Sequence, residues 1–279
     1  MSSLVGPSTP LARFLNVDRA GDREWTASIA DFDWGAAFGG DLLAKAALAA
    51  IRDVGPSAVL RSIHAQFLAP AAPNARAALH VARLDAARRR VLLEADGAAA
   101  LHLVAHCAPP SGGPHLEAGG FPAIAAPETL PSDIELAQGE DWPERFLAPI
   151  EFRRAEPRSW PFPGAADGES AHWRGWLRPR APLPAGDPAL HAAALAFASD
   201  YRSHWGVEVR LGAAFAKHSY TSVDHALWIH APLAWSDWWL FETRCDVGRD
   251  GRALVQRAVW TRDGARVATV MQEGIVTQR

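Results

Sequence analysis

The sequence is short of cysteine and of long apolar runs, and each shortage excludes a class of protein. Its two cysteines, Cys107 and Cys245, match no disulfide framework and no metal-ligand spacing. No run of about 18 apolar residues occurs, and the first fifteen residues have neither the basic start nor the apolar core of a signal peptide. We therefore expect a cytoplasmic protein with no metal and no membrane partner.

The chain also lacks a surplus of positive charge. Lys45 and Lys217 are its only lysines, and 28 basic against 31 acidic residues leave a net charge of -3. Nucleic acid is therefore not an expected partner. The 49% of hydrophobic and 21% of charged residues are typical of globular proteins, and 279 residues allow one large domain or two of about 140.

What is present is a helix followed by strands. Gly39-Gly40-Asp41 opens a helix that continues to Val54 and is apolar on most sides, as buried helices are. Asp96-Gly97 is a strong signal for a two-residue hairpin turn, because glycine accepts a positive φ. The strand candidates of this half are 24–30, 58–68, 75–84, 90–95 and 98–107.

A stretch rich in proline, glycine and acidic residues then interrupts the pattern, and the pattern recurs after it. We interpret 108–148 as a partly mobile linker between an N-terminal unit, 1–107, and a C-terminal unit, 149–279. Asp187 and Pro188 predict a helix start, and the helix is expected to run to about residue 204. The second set of strand candidates is 150–155, 171–178, 220–229, 238–245, 252–261 and 266–276.

The two units contain similar sequence motifs. Residues 62–70 parallel 222–232, although alignment on the serine or on the proline gives registers two residues apart, and Asp96-Gly97 parallels Asp263-Gly264. Such a duplication predicts an α+β fold with two tandem units, each a long buried helix wrapped by an antiparallel β-sheet.

This arrangement resembles the double hotdog fold, and its motifs resemble the acyl-CoA thioesterase II family. The match covers both halves and nearly the whole chain outside the linker. The stretches that carry the resemblance are 38–44 (FGGDLLA), 62–70 (SIHAQFLAP), 222–230 (SVDHALWIH) and 272–274 (QEG).

The resemblance implies hydrolysis of an acyl-CoA thioester by a water molecule, in fatty acid metabolism. The family's catalytic triad of aspartate, hydroxyl residue and glutamine falls on Asp200, Ser222 and Gln272. From its place at a helix N-terminus, the pair Gly39-Gly40 could hold the substrate carbonyl on free N–H groups, or could simply let the chain turn tightly. The first half departs from the family pattern at 88–90 and 95–97, so catalysis is expected in the second half. No cofactor is implied, and homo-oligomers are possible partners.

Each of the three residues also has a structural interpretation. Asp200 lies near a helix C-terminus, where the macrodipole opposes its charge, which favours a functional role. Strict alternation would turn Ser222 away from the apolar face, so either a bulge re-aims it or the helix-facing side is polar there. Gln272 could instead be a core amide bonded to backbone. Asp224 and His225 could be read as a catalytic pair, but strand neighbours point to opposite faces and cannot act on one substrate atom together, so we expect them to support the site from behind.

Other chemistries are poorly supported. The chain has no Gly-x-Ser-x-Gly elbow for a serine hydrolase and no Asp-x-Asn-x-x-His segment for a hydratase. His102 and His106 share a strand face without a carboxylate partner, which is weak support for a metal. The remaining alternative is a catalytically inactive protein that binds acyl-CoA or an acyl carrier.

Overall fold

One antiparallel sheet of 13 strands organises the structure, a computed structural model that describes residues 10–32, 35–109, 112–114, 116, 120–136, 138, 149–157, 164–165 and 172–279. The first half supplies β1 Asp18–Gly21, β2 Glu24–Ser28, β3 Leu60–Phe67, β4 Arg76–Arg83, β5 Arg88–Ala95 and β6 Ala98–Cys107. The second half supplies β7 Ile150–Glu156, β8 His172–Pro179, β9 His218–Ser222, β10 Asp224–Ile229, β11 Trp239–Arg249, β12 Arg252–Thr261 and β13 Arg266–Gln278. The helices are α1 Leu11–Phe14, α2 Gly39–Val54, α3 Asp133–Leu136, α4 Pro188–Asp200 and α5 Trp205–Leu211, with 3₁₀ turns at Pro127–Thr129 and Gly212–Lys217.

When each strand of the second half is matched with its counterpart in the first half, the strand order is the same from either end of the sheet. It is β1-β2-β4-β5-β6-β3-β10-β13-β12-β11-β8-β7, with β9 also paired to β13. Strands β3 and β10 pair antiparallel at the centre, where His64 lies opposite Ala226. The two halves are therefore copies related by an approximate twofold axis, and the predicted α+β fold of two tandem helix-and-sheet units is confirmed.

The long helices α2 and α4 lie against each other inside the sheet. Both are built largely from alanine and leucine, and nearly all of their residues are buried. A Cβ atom at Gly40 would come within 2.4 Å of the carbonyl oxygen of Phe197, so only glycine permits this approach. The close packing brings the N-terminus of α2 beside the C-terminus of α4.

The sequence prediction was wrong at two places that shape this region. The helix expected to reach residue 204 ends at Asp200, because Tyr201 is extended and Arg202 has a φ of 56°. The single strand expected over 220–229 is two strands, β9 and β10, broken at Val223. Helix α5 and the hairpin turn Asp250-Gly251, with φ of 52° and 71°, were not predicted.

Part of the predicted linker lies against the outer face of the second half. Phe121 contacts the rings of Trp176 and Trp260 at centroid distances of 6.1 Å. The indole N–H of Trp176 donates to the carbonyl of Ala125 at 2.9 Å, and Asp133 pairs with Arg180. The described residues between 120 and 136 thus cover the back of the sheet in this half.

Candidate active site

A cavity of about 620 Å³ opens where the N-terminus of α2 meets the C-terminus of α4. Its walls are mostly apolar, and its polar groups come from the end of α4 and from β9. The apolar lining includes Ala36, Ala37, Phe38, Leu42, Phe67 and Leu68, and the polar lining includes Asp200, Arg202, Ser203, His204, Tyr220 and Ser222. Two of the three residues predicted for the triad therefore face one cavity.

Asp200 is the last residue of α4, and a buried arginine fixes that helix end. The guanidinium of Arg257, 1% exposed, donates to three carbonyl oxygens of the final turn and its extension, those of Ala198, Ser199 and Tyr201, at 2.9–3.3 Å. Burial lowers the pKa of Arg257 to about 10, so it stays charged at neutral pH. Its charge offsets the macrodipole that would otherwise disfavour Asp200 at this end.

Ser222 reaches the cavity through a β-bulge. Ser222 pairs with Gly274, and Ala226 pairs with Met271. The chain advances four residues between these two pairs on one side and only three on the other, so one residue is extra. The carboxylate of Asp224 accepts the N–H of Glu273 at 2.9 Å within this irregular stretch. Of the two alternatives that the sequence left open, the bulge is the one observed.

Gln272 joins the other two predicted residues. Its amide nitrogen donates to Asp200 Oδ1 at 2.8 Å and to Ser222 Oγ at 2.6 Å. Gln272 is 1% exposed and lies behind Asp200 and Ser222, outside the cavity lining within the described residues. Three residues from a helix and two strands are thus tied into one hydrogen-bonded cluster.

His225 belongs to the same cluster, in keeping with the prediction that it supports the site without acting on the substrate itself. The side chains of Asp224 and His225 point to opposite faces, as predicted, and His225 turns inward with 1% exposure. Its Nδ1 lies 2.9 Å from Gln272 Oε1, and its Nε2 lies 2.8 Å from Ser199 Oγ. Burial lowers the pKa of His225, which favours a neutral ring. A histidine on the buried face of the strand was the available sequence signal.

Gly39 and Gly40 occupy the N-terminus of α2, but only Gly39 lines the cavity. A Cβ at Gly39 would lie 2.7 Å from Asp200 Oδ2, which shows how closely the carboxylate approaches the helix start. Among the described residues neither glycine N–H has a hydrogen-bond acceptor, as expected for the first turn of a helix. Gly40 is explained by its packing on α4.

Tyr220 and His204 form part of the cavity wall, which the sequence did not predict. The Tyr220 ring covers Gly274, where a Cβ would come within 2.1 Å of the ring. The rings of His204 and Tyr220 lie 6.3 Å apart. Burial lowers the pKa of His204 to about 3. The glycine inside strand β13 was the only signal for this close approach.

The described residues offer little for a metal or for membrane insertion. Within the ranges given above, no group of three or more His, Cys, Asp or Glu side chains is arranged to hold a metal ion. No helix of the described part of the chain has the length and apolar character needed to cross a membrane.

A tandem of two long helices, each wrapped by an antiparallel sheet, defines a double hotdog protein, and comparisons with known proteins define its family. The acyl-CoA thioesterase N-terminal domain matches residues 30–108, and the acyl-CoA thioesterase C-terminal domain matches residues 127–276. The chain therefore belongs to the acyl-CoA thioesterase family, a family of thioester hydrolases.

Individual relatives agree with this assignment. Acyl-CoA thioesterase 2 of Haemophilus influenzae is 25% identical over 285 residues, covering 95% of this chain and 96% of that protein. Acyl-coenzyme A thioesterase 8 of Mus musculus is 25% identical over 264 residues, covering 86% of this chain and 79% of that protein. An acyl-CoA thioesterase II from Mycobacterium marinum has a similar structure, with a TM-score of 0.80, 25% identity and coverage of 95% and 97%.

Proposed function

We propose that this protein hydrolyses acyl-CoA thioesters to a free carboxylic acid and CoA by direct attack of water, with Asp200 as general base. The observation that carries the proposal is that Asp200 and Ser222 face the same largely apolar cavity and are joined by one amide, that of Gln272. A carboxylate 7% exposed is shielded from bulk water, which suits proton transfer to and from a bound reactant.

The reaction proceeds in two steps. A water oxygen bonds to the thioester carbon while one of its protons passes to the Asp200 carboxylate. The tetrahedral intermediate then collapses, the C–S bond breaks, and the thiolate of CoA takes the proton back from Asp200. Ser222 accepts a hydrogen bond from Gln272, so its own hydroxyl proton is directed elsewhere and can hold the water.

Gln272 acts through its neighbours. Both of its N–H groups are engaged by Asp200 and Ser222 and its oxygen by His225, so it sets the positions of the base and the hydroxyl. The N–H of Gly39 at the start of α2 is the candidate donor to the developing oxyanion, because it lines the cavity and has no acceptor among the described residues.

The apolar part of the cavity would take the acyl chain. Its aromatic and aliphatic walls, among them Phe38, Leu42 and Phe67, favour a hydrocarbon over a polar group. The nucleotide of CoA would then remain outside the cavity mouth, toward solvent.

Thiol release from short, medium, long and aromatic acyl-CoAs, followed with purified protein, tests this function. Turnover of at least one substrate is expected, and Asp200→Asn should lower kcat by roughly 10²–10⁴-fold while acyl-CoA binding persists. Unchanged turnover in Asp200→Asn would reject the general base. Saturable binding without turnover in the wild type would instead identify an acyl-CoA binding protein.

The division into 1–107, 108–148 and 149–279, with the three triad residues in the last segment, is part of this proposal. Its support is the strand order, which separates the halves at the β3–β10 pair. A cytoplasmic location is proposed on the cysteine usage, and a role in fatty acid metabolism on the resemblance.

A further inference from the structure

A line of buried hydrogen bonds leads from α4 through His225 to the carboxylate of Asp200. Ser199 Oγ lies 2.8 Å from His225 Nε2, His225 Nδ1 lies 2.9 Å from Gln272 Oε1, and Gln272 Nε2 lies 2.8 Å from Asp200 Oδ1. Ser199 has no exposed surface, and His225 and Gln272 are each 1% exposed. Bulk water therefore does not compete for the inner links of this chain.

The carboxylate fixes the direction of every link. An ionised Asp200 can only accept, so the atom of Gln272 facing it is the amide nitrogen. The oxygen Oε1 of Gln272 then faces His225 and can also only accept, so Nδ1 of His225 must carry a proton. The single proton of the Ser199 hydroxyl can go to the carbonyl oxygen of Ala196 or to Nε2 of His225, each 2.8 Å away, and a neutral ring with its proton on Nδ1 makes Nε2 the acceptor that draws it.

From this chain we propose that His225 is a positioning residue for the general base, an inference that rests on the function proposed above. Its Nδ1–H holds the amide of Gln272 in the one orientation that donates to both Asp200 and Ser222. Without that donor Gln272 Oε1 is buried with no partner, and the amide is free to shift away from Asp200 and Ser222. Among the described residues, His225 does not line the cavity, so it acts through Gln272.

Besides Gln272 Oε1, which requires a proton on Nδ1, the hydroxyl of Ser199 also influences which ring nitrogen of His225 holds the proton. This hydroxyl is also 2.8 Å from the carbonyl oxygen of Ala196, and that oxygen is an ordinary helix acceptor. Removal of the hydroxyl leaves Nε2 without a donor, and the ring proton is then free to move from Nδ1 to Nε2. The lone pair of Nδ1 would face Gln272 Oε1, and the repulsion would displace the amide from Asp200 and Ser222.

Kinetics of three variants test the positioning role. His225→Phe should lower kcat by about 10²-fold, the cost of a misplaced catalytic group, with KM near the wild-type value. His225→Asn should recover part of that loss, because its side-chain N–H can take the place of Nδ1–H. Ser199→Ala should lower kcat in the same direction as His225→Phe. The proposal is overturned if His225→Phe keeps the wild-type kcat or if His225→Asn is no better than His225→Phe.

A matched control separates positioning from the general cost of altering a buried histidine. His191 is 4% exposed, lies in the same helix as Asp200, and its Nδ1 accepts the N–H of Trp235 at 3.1 Å. His191→Phe should keep kcat, and a kcat loss equal to that of His225→Phe would contradict a specific role.

A spectroscopic measurement tests the chain without relying on activity. Nitrogen-15 NMR of protein labelled in the histidine rings, with the His225 signals identified by their absence in His225→Phe, should show Nδ1 protonated and Nε2 unprotonated. Ser199→Ala should move the proton toward Nε2. A ring protonated only at Nε2 in the wild type would overturn the proposal. Retained turnover in Asp200→Asn would overturn the proposed function instead, whatever the tautomer.

Discussion

Helices α2 and α4 end in matching carboxylates that have opposite surroundings. The sequence Ala-Leu-Ala-Ala-Ile-Arg-Asp ends at Asp53, and Ala-Leu-Ala-Phe-Ala-Ser-Asp ends at Asp200. Asp53 forms a largely buried ion pair with Arg89 of β5, whereas Asp200 accepts from the neutral amide of Gln272 and lines the cavity. The carboxylate of Asp53 ties helix α2 to strand β5, whereas the carboxylate of Asp200 is available to a reactant in the cavity.

The strands of the second half likewise carry polar residues at positions where those of the first half carry apolar ones. Leu60 pairs with Cys107 just before a bulge, as Ser222 pairs with Gly274 before its own. In the first half Ala105 lies two residues before Cys107, and in the second half Gln272 lies two residues before Gly274. Alanine therefore occupies the position in the first half that corresponds to Gln272. Duplication has therefore kept the scaffold in both halves and the polar cluster in one.

The helix starts differ as well. Helix α2 begins with Gly39, whose N–H has no acceptor among the described residues. Helix α4 begins with Pro188, which has no N–H, and is capped by Asp187, whose side chain accepts the N–H of Leu190 at 3.0 Å. An oxyanion could be held at the first of these helix ends and not at the second.

The largest predicted effect on stability concerns the first half. Arg89→Met leaves the Asp53 carboxylate buried without its partner, and we expect the free energy of unfolding to fall by about 3–5 kcal/mol. Denaturant titration measures this change, and kcat of the folded fraction should stay at the wild-type level. A loss of kcat in the folded fraction would break the comparison, because it would give the first-half carboxylate a role in the reaction.

The next effect concerns the second half alone. Gln272→Leu removes both donors to Asp200 and Ser222 while keeping the side-chain volume, and kcat should fall by about 10²-fold. Steady-state thiol release measures it. The matched change in the first half, Ala105→Ser, should leave kcat at the wild-type level, and equal losses in the two variants would contradict the difference between the halves.

The last prediction concerns acid sensitivity of the second half, an effect that is small just below pH 6.5 and grows as the pH falls. The pKa of His204 is lowered to about 3 in the folded protein by burial, against about 6.5 in an unfolded chain. The unfolded state therefore binds a proton that the folded state excludes, so stability is complete above about pH 6.5 and falls by about 1.4 kcal/mol per pH unit below it. His204→Phe should flatten that slope in denaturant titrations between pH 6.5 and pH 4. An unchanged slope would show that His204 titrates normally in the folded state.

Much of the fold could be predicted from local patterns. Strands β6 and β12 match their predicted bounds, because clear alternation and turn residues surround them. The repeat was visible too, and the structure selects the register anchored on Pro70 and Pro232, in which Ser62 corresponds to Asp224. Ser62 is therefore not the counterpart of Ser222.

The features that the sequence did not predict depend on contacts between distant parts of the chain. Helix α4 ends at Asp200 because Arg257, a residue of β12, takes up the carbonyls of its last turn, and no local signal near residue 200 shows this. The break at Val223 reflects pairing of one segment with two neighbours, since the Phe67 N–H donates to the Val223 carbonyl while the Val223 N–H donates to the Glu273 carbonyl. Polar residues in apolar runs could be found from sequence, but their mutual geometry could not.

The most direct test of the account compares the two helix-end carboxylates in one assay. Asp200→Asn and Asp53→Asn are matched in chemistry and in place, and each is measured for kcat on the same acyl-CoA with its folded fraction determined. We predict that Asp200→Asn loses turnover while Asp53→Asn keeps the wild-type kcat and loses only stability. Full turnover in Asp200→Asn, or an equal loss in both variants, would contradict a single general base in the second half.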